Sequence, residues 1–432
     1  MTNSSSGKRS AIRASAWQLV LALTLVTCVL VLSQVPIATW ATTATVSLAL
    51  GASALVLMGA AALLAARFPA VESLLGGLDR VYVAHKWLAV WALAFASFHL
   101  IFQAELREWP LASILSLPRP ATRLVRQASF VALMLIVMLA LNRKIPYHRW
   151  RLWHKLSGPL FLIVILHWLS IRSPIPLATP AGIWLALVAG LGVIGAAYKL
   201  LLYRFVSPHA EYRVVEVTPG AAGLHLKLEP VEHPIAFEPG QFGFLRMESE
   251  GLWEPHPFTI AAGGSPEQRV EFLIRDLGDY THKLVRETTP GMYAEIYAPY
   301  GRFTRLPAAQ REIWIAGGVG VSPFIAWLSD PTAECSERIT FFYFFTPGRA
   351  LPSPEVLGQL AHGKGVEYVP VAGGPSSEEF TARFKEIVAR HGAGEVNISF
   401  CGPKGLLEHV RTLMRELRVP DSHLRYEYFE FR

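Results

Sequence analysis

The sequence contains few charged residues and few cysteines. Of its 432 residues, 17% are charged and 52% are hydrophobic, whereas soluble proteins carry about 25% charged residues. This composition excludes a disordered chain, a collagen and a coiled coil, and it favours a membrane protein. The three cysteines, Cys28, Cys335 and Cys401, are too few for a disulfide framework or a four-cysteine iron–sulfur cluster.

Acidic residues are scarce in the first half of the chain. Residues 1–204 hold four acids and 18 lysines and arginines, a net charge of +14, whereas residues 205–432 hold 29 acids and 22 bases, a net charge of −7. This asymmetry predicts a membrane domain followed by a soluble part. The positive charge lies in short segments between apolar runs, where it sets membrane topology. It therefore does not indicate a nucleic-acid partner.

The longest uncharged stretch runs from Arg13 to Arg67. It is too long for one membrane span of about 20 residues, and it breaks near residues 33–36. We predict an all-α bundle of six transmembrane helices in contact with membrane lipid. The helices are expected at about 16–35, 41–66, 82–103, 124–142, 155–171 and 180–203.

The basic residues predict the orientation of this bundle, because cytoplasmic segments are enriched in lysine and arginine. If six helices cross the membrane, three basic segments fall on one side, so we expect both termini to be cytoplasmic. The expected location is the plasma (inner) membrane. The three segments contain Lys8, Arg9 and Arg13; Arg143, Lys144, Arg149, Arg151 and Lys155; and Lys199 and Arg204. The segment 104–123, with Arg107, Arg119 and Arg123, lies outside on this count and does not follow the rule. Alternatively, residues 8–41 are a signal peptide, which leaves five helices.

Four histidines lie on two of the predicted helices. His85 and His99 are 14 residues apart, which places both near one helix face and about 21 Å apart along the axis. His154 and His167 lie on a helix that runs parallel to the first. Ionisable residues inside a membrane are expensive and usually functional. We therefore expect His85 to face His154 and His99 to face His167, as two axial pairs for haem iron.

The second histidine spacing does not suit a regular helix. His154 and His167 are 13 residues apart, which leaves their side chains about 140° apart on an ideal helix. Gly158 and Pro159 lie between them, and such residues commonly mark kinks. The sequence therefore predicts an irregular helix at this point. The alternative is that the four histidines are structural.

The second half of the chain changes from long apolar runs to short strands. Candidate strands at 211–218, 223–229, 242–247, 256–261, 269–275 and 292–297 predict a small antiparallel β-barrel. After residue 311, strands at 311–316, 338–345, 366–371, 395–400 and 424–431 alternate with helices at 322–329, 378–391 and 403–418. This alternation predicts an α/β domain with a parallel sheet. The first of these strands runs into the glycine-rich segment 317–323, whose glycines and following helix start suit a pyrophosphate.

Together these features resemble the ferric reductase/NADPH oxidase family, in which a six-helix haem domain is fused to a ferredoxin-reductase-like module. The resemblance implies a cytoplasmic tail at 1–14, a transmembrane haem domain at 15–205, an FAD-binding barrel at 206–307 and an NAD(P)H-binding α/β domain at 308–432. It implies that His85, His99, His154 and His167 hold two b-type haems. It leaves the external acceptor and any partner subunit unspecified.

Four motifs carry the resemblance in the soluble half, and their implied roles are as follows. The strand that lines the flavin is His256, Pro257, Phe258 and Thr259, and the flavin pyrophosphate site is Arg275 with Gly278, Asp279, Tyr280 and Thr281. The nicotinamide-nucleotide loop is Gly317, Gly318, Gly320, Ser322 and Pro323, and the segment that places a thiol beside the nicotinamide is Cys401, Gly402 and Pro403. The terminal ring that shields the flavin is Phe431, with Phe429 as the alternative. Thr346 and Arg349 are candidates for the 2′-phosphate of NADPH, and NADH is the alternative nucleotide.

The resemblance implies an enzyme that moves electrons from cytoplasmic NAD(P)H through FAD and two haems to an external acceptor. Oxygen, giving superoxide, and ferric iron both fit as acceptors. A second reading is a haem-free, membrane-anchored flavin reductase that serves a separate cytoplasmic partner. A third is a transporter with a fused nucleotide-binding domain, but the paired helix interruptions typical of transporters do not occur.

Overall fold

A computed structural model describes residues 15–102, 104–142, 144–264, 269–305, 311–333 and 335–427. The chain divides into two compact units, one ending at Ser207 and the next beginning at Pro208. The first unit is helical. The second contains both β-sheets of the described chain.

The first unit, called the membrane unit from here on, consists of helices that are mostly apolar. Its helices are α1 (Ala16–Leu32), α2 (Thr43–Ala65), α3 (Pro69–Leu75), α4 (Leu78–Ile101), α5 (Arg119–Leu141), α6 (Tyr147–His154), α7 (Ser157–Ser170) and α8 (Pro180–Ala197), which continues through a π-helical turn (Tyr198–Leu202) into α9 (Tyr203–Val206). Hydroxyls of Ser15, Thr42 and Thr179 accept hydrogen bonds from backbone amides in the first turns of α1, α2 and α8. These N-caps explain why the three helices begin where they do.

Five helical segments of the described chain are long and apolar enough to cross a membrane, against the six predicted. They are Thr43–Ala65, Leu78–Ile101, Arg119–Met138, Arg149–Ser170 and Pro180–Val206. The sixth apolar helix, α1, has 17 residues and ends at Leu32 rather than at residue 35. It ends there because Ser33 caps it and Pro36 follows, while the Trp40 indole donates a hydrogen bond to the Leu32 carbonyl.

The predicted irregularity between His154 and His167 is confirmed. Helix α6 ends at His154, and α7 begins at Ser157. The amide of Leu156 donates to the Trp153 carbonyl at 3.0 Å, and that of Gly158 donates to the Lys155 carbonyl at 3.4 Å. These bonds span three residues rather than four, so the turn is tightened and the rotation between the two histidines differs from that of a regular helix.

Helices α2 and α8 approach closely through glycines. A Cβ atom at Gly192 would lie 2.7 Å from the Cα atom of Gly59 and 2.8 Å from the Phe161 ring. A Cβ atom at Gly195 would lie 2.8 Å from the Cα atom of Leu63. The two backbones therefore pack at a distance that a side chain would prevent, as at other small-residue helix interfaces in membranes.

Replacing Gly192 with valine is expected to lower the stability of the membrane unit by about 1–3 kcal/mol, because overpacking forces the backbones apart. The measurement is the thermal unfolding midpoint of detergent-purified protein. Gly190→Val is the matched control, since it lies on the same helix and a Cβ atom there would have nothing within 4 Å. Equal midpoints for the two variants would contradict the close packing.

The second unit begins with a nearly closed antiparallel barrel, as predicted. Its strands are β1 (His209–Gly220), β2 (Gly223–Pro230), β3 (Phe242–Met247), β4 (His256–Thr259), β5 (Val270–Arg275) and β6 (Tyr293–Tyr300), in the order β4-β3-β6-β1-β2-β5. A bridge between Ile260 and Phe272 joins the two ends of this order. Helix α10 (Asp279–Glu287) follows β5.

A parallel five-stranded sheet completes the unit and confirms the α/β prediction. Its elements are β7 (Arg311–Gly317), α11 (Ser322–Ser329), β8 (Ile339–Phe345), α12 (Pro354–Gly363), β9 (Glu367–Ala372), α13 (Glu378–His391), β10 (Val396–Cys401), α14 (Lys404–Glu416) and β11 (Leu424–Tyr426), with strand order β11-β10-β7-β8-β9. Helix α12 was not predicted. The strand predicted at 424–431 is observed at Leu424–Tyr426, and residues 428–431 lie outside the described residues.

Candidate functional site

The four membrane histidines form the two predicted pairs. The rings of His85 and His154 have centroids 5.9 Å apart and an interplanar angle of 81°. Those of His99 and His167 are 6.5 Å apart at 68°. Two imidazoles on opposite sides of one metal ion, each about 2 Å from it, would have centroids about 6 Å apart. Both separations therefore suit a metal ion held between the rings.

Hydrogen bonds orient one histidine of each pair. The Nδ1 atom of His85 lies 2.8 Å from the Ala61 carbonyl oxygen, and that of His99 lies 3.0 Å from the Ser47 carbonyl oxygen. A ring whose Nδ1–H donates to a carbonyl keeps Nε2 for a metal, which is the usual arrangement around ligating histidines. Helix α2 thus positions both histidines of α4.

The other histidine of each pair has a buried nitrogen atom without a hydrogen bond. Within the described residues, Nδ1 of His154 and Nδ1 of His167 have no hydrogen-bond partner. The Trp150 ring stacks on His154, with centroids 5.0 Å apart. No group of three or more histidines, cysteines or acids that would suit a metal ion occurs in the described chain. Two ligands per site fit haem, because its porphyrin supplies the other four.

The predicted flavin strand lies beside the start of α10. His256 stacks on Tyr280 with ring centroids 3.5 Å apart, and its Nδ1 atom lies 2.9 Å from the Glu254 carbonyl oxygen. In the same strand, Pro257 pairs with Phe244 of β3, and Phe258 packs near Phe272. Thr259 is buried.

Thr281 caps the segment that leads into α10. Its hydroxyl accepts hydrogen bonds from the amides of Leu277 and Gly278, both at 3.0 Å. Asp279 lies in the first turn of the helix. Because Thr281 already engages two amides, the donors for an anion at this point come from the helix start itself.

The glycine-rich segment and the segment after β10 come together, because β7 and β10 are neighbouring parallel strands. A Cβ atom at Gly320 would overlap the Cys401 carbonyl, and one at Gly317 would lie 2.5 Å from Pro403. A Cβ atom at Gly402 would lie 3.0 Å from the Gly317 amide nitrogen. The contact requires glycine at these positions.

The loop between β7 and α11 is a short 3₁₀ turn. Gly318 has a φ of +57°, which favours glycine. The Ser322 hydroxyl donates to the Val319 carbonyl at 2.8 Å, and Pro323 lies in the first turn of α11. The backbone is thus shaped for close approach to a bound group ahead of a helix N-terminus.

The Cys401 thiol is fully buried in the hydrophobic core. Burial raises its pKa well above the usual value, and the nearby carboxylate of Glu427 raises it further. The thiol is therefore neutral at physiological pH. It offers a small, uncharged contact rather than a nucleophile.

We expect Cys401 to resist alkylation by iodoacetamide in the folded protein at pH 8 and to react once the protein is unfolded. The pKa of the thiol is higher in the folded protein than in the unfolded chain. The contribution of Cys401 to the free energy of unfolding is therefore present at neutral pH and is lost as the pH rises above the unfolded pKa of about 8.5. Mass spectrometry of the peptide checks this. Rapid labelling of Cys401 in the folded protein would contradict it; Cys335, half-buried, is the internal comparison.

The remaining predicted residues lie at the edge of the nucleotide domain or outside the described residues. Thr346 and Arg349 are exposed in the turn after β8, where the Arg349 amide donates to the Thr346 carbonyl at 2.9 Å. This turn follows the strand next to β7. Phe431 and the alternative Phe429 lie outside the described residues.

Some contacts around these sites were not foreseen. Ser47 and Ala61, which bond His99 and His85, are 14 residues apart, the same spacing as the two histidines. Ser47, a polar residue in an apolar run, could have indicated a contact with a membrane histidine, but a contact made by a backbone carbonyl has no sequence signature. In the barrel, Arg246 forms a 2.7 Å ion pair with Glu295 across β3 and β6.

Two family models match this chain, one in the membrane unit and one in the second unit. Residues 50–166 match the family model of a ferric reductase like transmembrane component, and residues 211–302 match that of an FAD-binding domain. The first match contains His85, His99 and His154 and ends one residue before His167. Together the two matches confirm the resemblance drawn from the sequence motifs.

Individual relatives are distant and cover part of the chain. A flavohemoprotein of Pseudomonas putida is 24% identical over 200 residues, which cover 44% of this chain and 51% of that protein. A flavohemoprotein of Deinococcus radiodurans is 25% identical over 252 residues, which cover 54% and 60%. The chain spans about half the length of these relatives. A solved structure, the flavohem-like FAD/NAD binding domain of nitric oxide dioxygenase from Vibrio cholerae, matches at a TM-score of 0.43 and 18% identity over 50% of this chain and 97% of that one.

Proposed function

We propose that this chain, which combines a ferric reductase-like transmembrane component with an FAD-binding domain, is a membrane NAD(P)H-dependent flavocytochrome b. It would move electrons from NAD(P)H to an acceptor on the other side of the membrane. The observation that carries the proposal is the presence of two histidine pairs, 5.9 and 6.5 Å between ring centroids, in one membrane unit. FAD supplies the exchange between hydride and single electrons, and haem iron supplies one-electron transfer.

In the membrane unit, the proposed role of the histidines is to hold and orient two b-type haems. His85 and His154 hold one, and His99 and His167 hold the other. The carbonyls of Ala61 and Ser47 fix the α4 imidazoles so that Nε2 points away from α2. Each pair would offer two nitrogen ligands to one haem, and haem held in this way would supply electron transfer without binding the acceptor.

In the second unit, the proposed role of the motif residues is to bring the flavin ring and the nicotinamide ring together. The stretch His256–Thr259 and the start of α10 hold FAD, and the loop Gly317–Pro323 holds the nicotinamide nucleotide. Cys401 presents a neutral thiol beside the nicotinamide, and Gly402 and Pro403 let the loop approach it. Thr346 and Arg349 favour NADPH over NADH. Phe431 is the proposed shield over the flavin.

The topology proposed for this function has both termini on the cytoplasmic side of the plasma (inner) membrane. NAD(P)H is then available to the second unit. The pair His99/His167 lies toward the far side, where oxygen or a ferric chelate is the proposed acceptor.

The visible spectrum of detergent-purified protein tests the proposal, recorded oxidised, then with NADPH under argon, then after admitting air. We expect flavin and b-type haem absorption, with haem reduced by NADPH at a stoichiometry of two haems per flavin. A flavin spectrum without haem, despite haem supplied during expression, would overturn the proposal in favour of a haem-free membrane-anchored reductase. Superoxide formed after admitting air distinguishes oxygen from ferric iron as the acceptor.

A further inference from the structure

The two histidines of the pair His85/His154 are held in different ways. Nδ1 of His85 lies 2.8 Å from the Ala61 carbonyl oxygen, whereas Nδ1 of His154 has no hydrogen-bond partner in the described part of the chain. The bond to Ala61 fixes the rotation of the His85 ring about its Cβ–Cγ bond. Because this torsion is broad in histidine, the His154 ring needs another contact to keep one orientation.

The indole of Trp150 makes such a contact. Trp150 precedes His154 by four residues on α6, so the two side chains are neighbours on one face of the helix. Their ring centroids are 5.0 Å apart, and their planes lie within 12° of parallel. This is the stacked arrangement that aromatic pairs favour. A large flat ring against one face of the imidazole opposes its rotation.

The pair His99/His167 has no equivalent of Trp150 at the same position of its helix. The residue four positions before His167 is Ile163, which has no ring that could stack. Nδ1 of His167, like that of His154, has no hydrogen-bond partner among the described residues. The two pairs therefore differ in the contact behind their second histidine, and His99/His167 serves as an internal reference for His85/His154.

We propose that Trp150 is the positioning residue of His154, and that its indole holds the imidazole plane at 81° to that of His85. This inference rests on the proposed function. The angle between two axial imidazoles affects the splitting of the iron d orbitals, which the EPR spectrum of ferric haem reports. A residue that orients a ligand therefore tunes the metal. Trp150 acts through His154 and makes this haem electronically different from the one at His99/His167.

The test combines two measurements on haem-loaded, full-length protein in detergent. They are the EPR spectrum of the ferric haems and the rate at which haem passes to an excess of apomyoglobin. Trp150→Leu and Trp150→Met remove the ring but keep an apolar side chain, whereas Trp150→Phe keeps a ring that can stack. The matched control is Trp153→Leu, because this tryptophan lies on the same helix and its side chain is exposed.

We expect Trp150→Leu and Trp150→Met to shift and broaden the EPR signal of one haem. That haem should leave the protein about 2- to 10-fold faster, as for loss of one aromatic stack. The signal and the release rate of the other haem should stay unchanged. Trp150→Phe and Trp153→Leu should both behave as the wild type does, and the FAD content of every variant should match the wild type.

Two results would overturn the inference while leaving the proposed function intact. One is a wild-type EPR spectrum and wild-type haem release in both Trp150→Leu and Trp150→Met. The other is a change in Trp150→Phe or Trp153→Leu as large as that in Trp150→Leu, which would indicate general packing of α6 rather than a stacked ring. Failure of the proposed function is recognised separately, because the wild-type protein would then contain no haem.

Discussion

Replacing His99 with leucine is expected to remove one of the two haems and to stop electron transfer to an external acceptor, while NADPH still reduces the flavin. The reason is geometric: His167 lies opposite His99, at 6.5 Å between ring centroids. Leucine has no nitrogen ligand, so the site would keep one of its two histidine ligands and would lose its affinity for haem. The measurements are the haem-to-flavin ratio and the rate of reduction of an impermeant ferric chelate by protein in vesicles.

Two further variants make the His99 result specific. His167→Leu should give the same phenotype, because both histidines serve one site. His282→Leu is the matched control, since this histidine is exposed on α10 and pairs with Asp276 at 2.8 Å; it should keep both haems. Unchanged reduction of the external acceptor in His99→Leu would exclude the proposed route across the membrane.

The pairing of the membrane histidines was predictable because it follows from helix geometry. The 14-residue spacing of His85 and His99 places both on one face of a regular helix. The 13-residue spacing of His154 and His167 required an irregular turn, and the hydrogen bonds around Lys155 to Gly158 provide it. The sequence therefore contained both the regular 14-residue spacing and the 13-residue spacing that requires an irregular turn.

Contacts made by backbone atoms could not be predicted in the same way. The carbonyl of Ala61 orients His85, but an alanine in an apolar run carries no sign of that role. The length of α1 depends on caps and on the Trp40 indole, which a hydropathy pattern does not report. Helix α12 was missed because its sequence, Pro354–Gly363, follows a proline-rich segment that looks like a loop.

In the second unit, too, the features that follow from the sequence pattern were predicted and the individual contacts were not. Its strands were predicted closely because they are short apolar runs bounded by turn residues. The meeting of the nucleotide loop with Cys401 did not follow from the pattern, because the strand order that makes β7 and β10 neighbours was not predicted. The position of Arg275, whose Nη1 atom lies 3.5 Å from the position of a Cβ atom at Gly318, did not follow from the pattern either, because it depends on how the barrel and the sheet pack.

Gly320→Ala is expected to weaken nucleotide binding strongly and to destabilise the α/β domain by about 1–3 kcal/mol. The added methyl group would overlap the backbone carbonyl of Cys401, which cannot move aside as a flexible side chain would. The loop must then shift away from β10, which would separate the proposed phosphate-binding backbone from the Cys401 thiol. The expected results are a lower unfolding midpoint and a raised KM for NADPH, with haem content unchanged.

Gly405→Ala is the matched control for this prediction. Gly405 lies within α14, and a Cβ atom there would have nothing within 4 Å. Alanine at this position should leave the KM unchanged and should not lower the stability of the helix, because alanine loses less conformational entropy than glycine on folding. If Gly320→Ala kept wild-type nucleotide affinity, the close contact between the loop and Cys401 would not be a requirement of the site. A loss of stability and of nucleotide affinity in Gly320→Ala, with neither loss in Gly405→Ala, distinguishes a steric requirement of the nucleotide site from a general effect of replacing glycine in this domain.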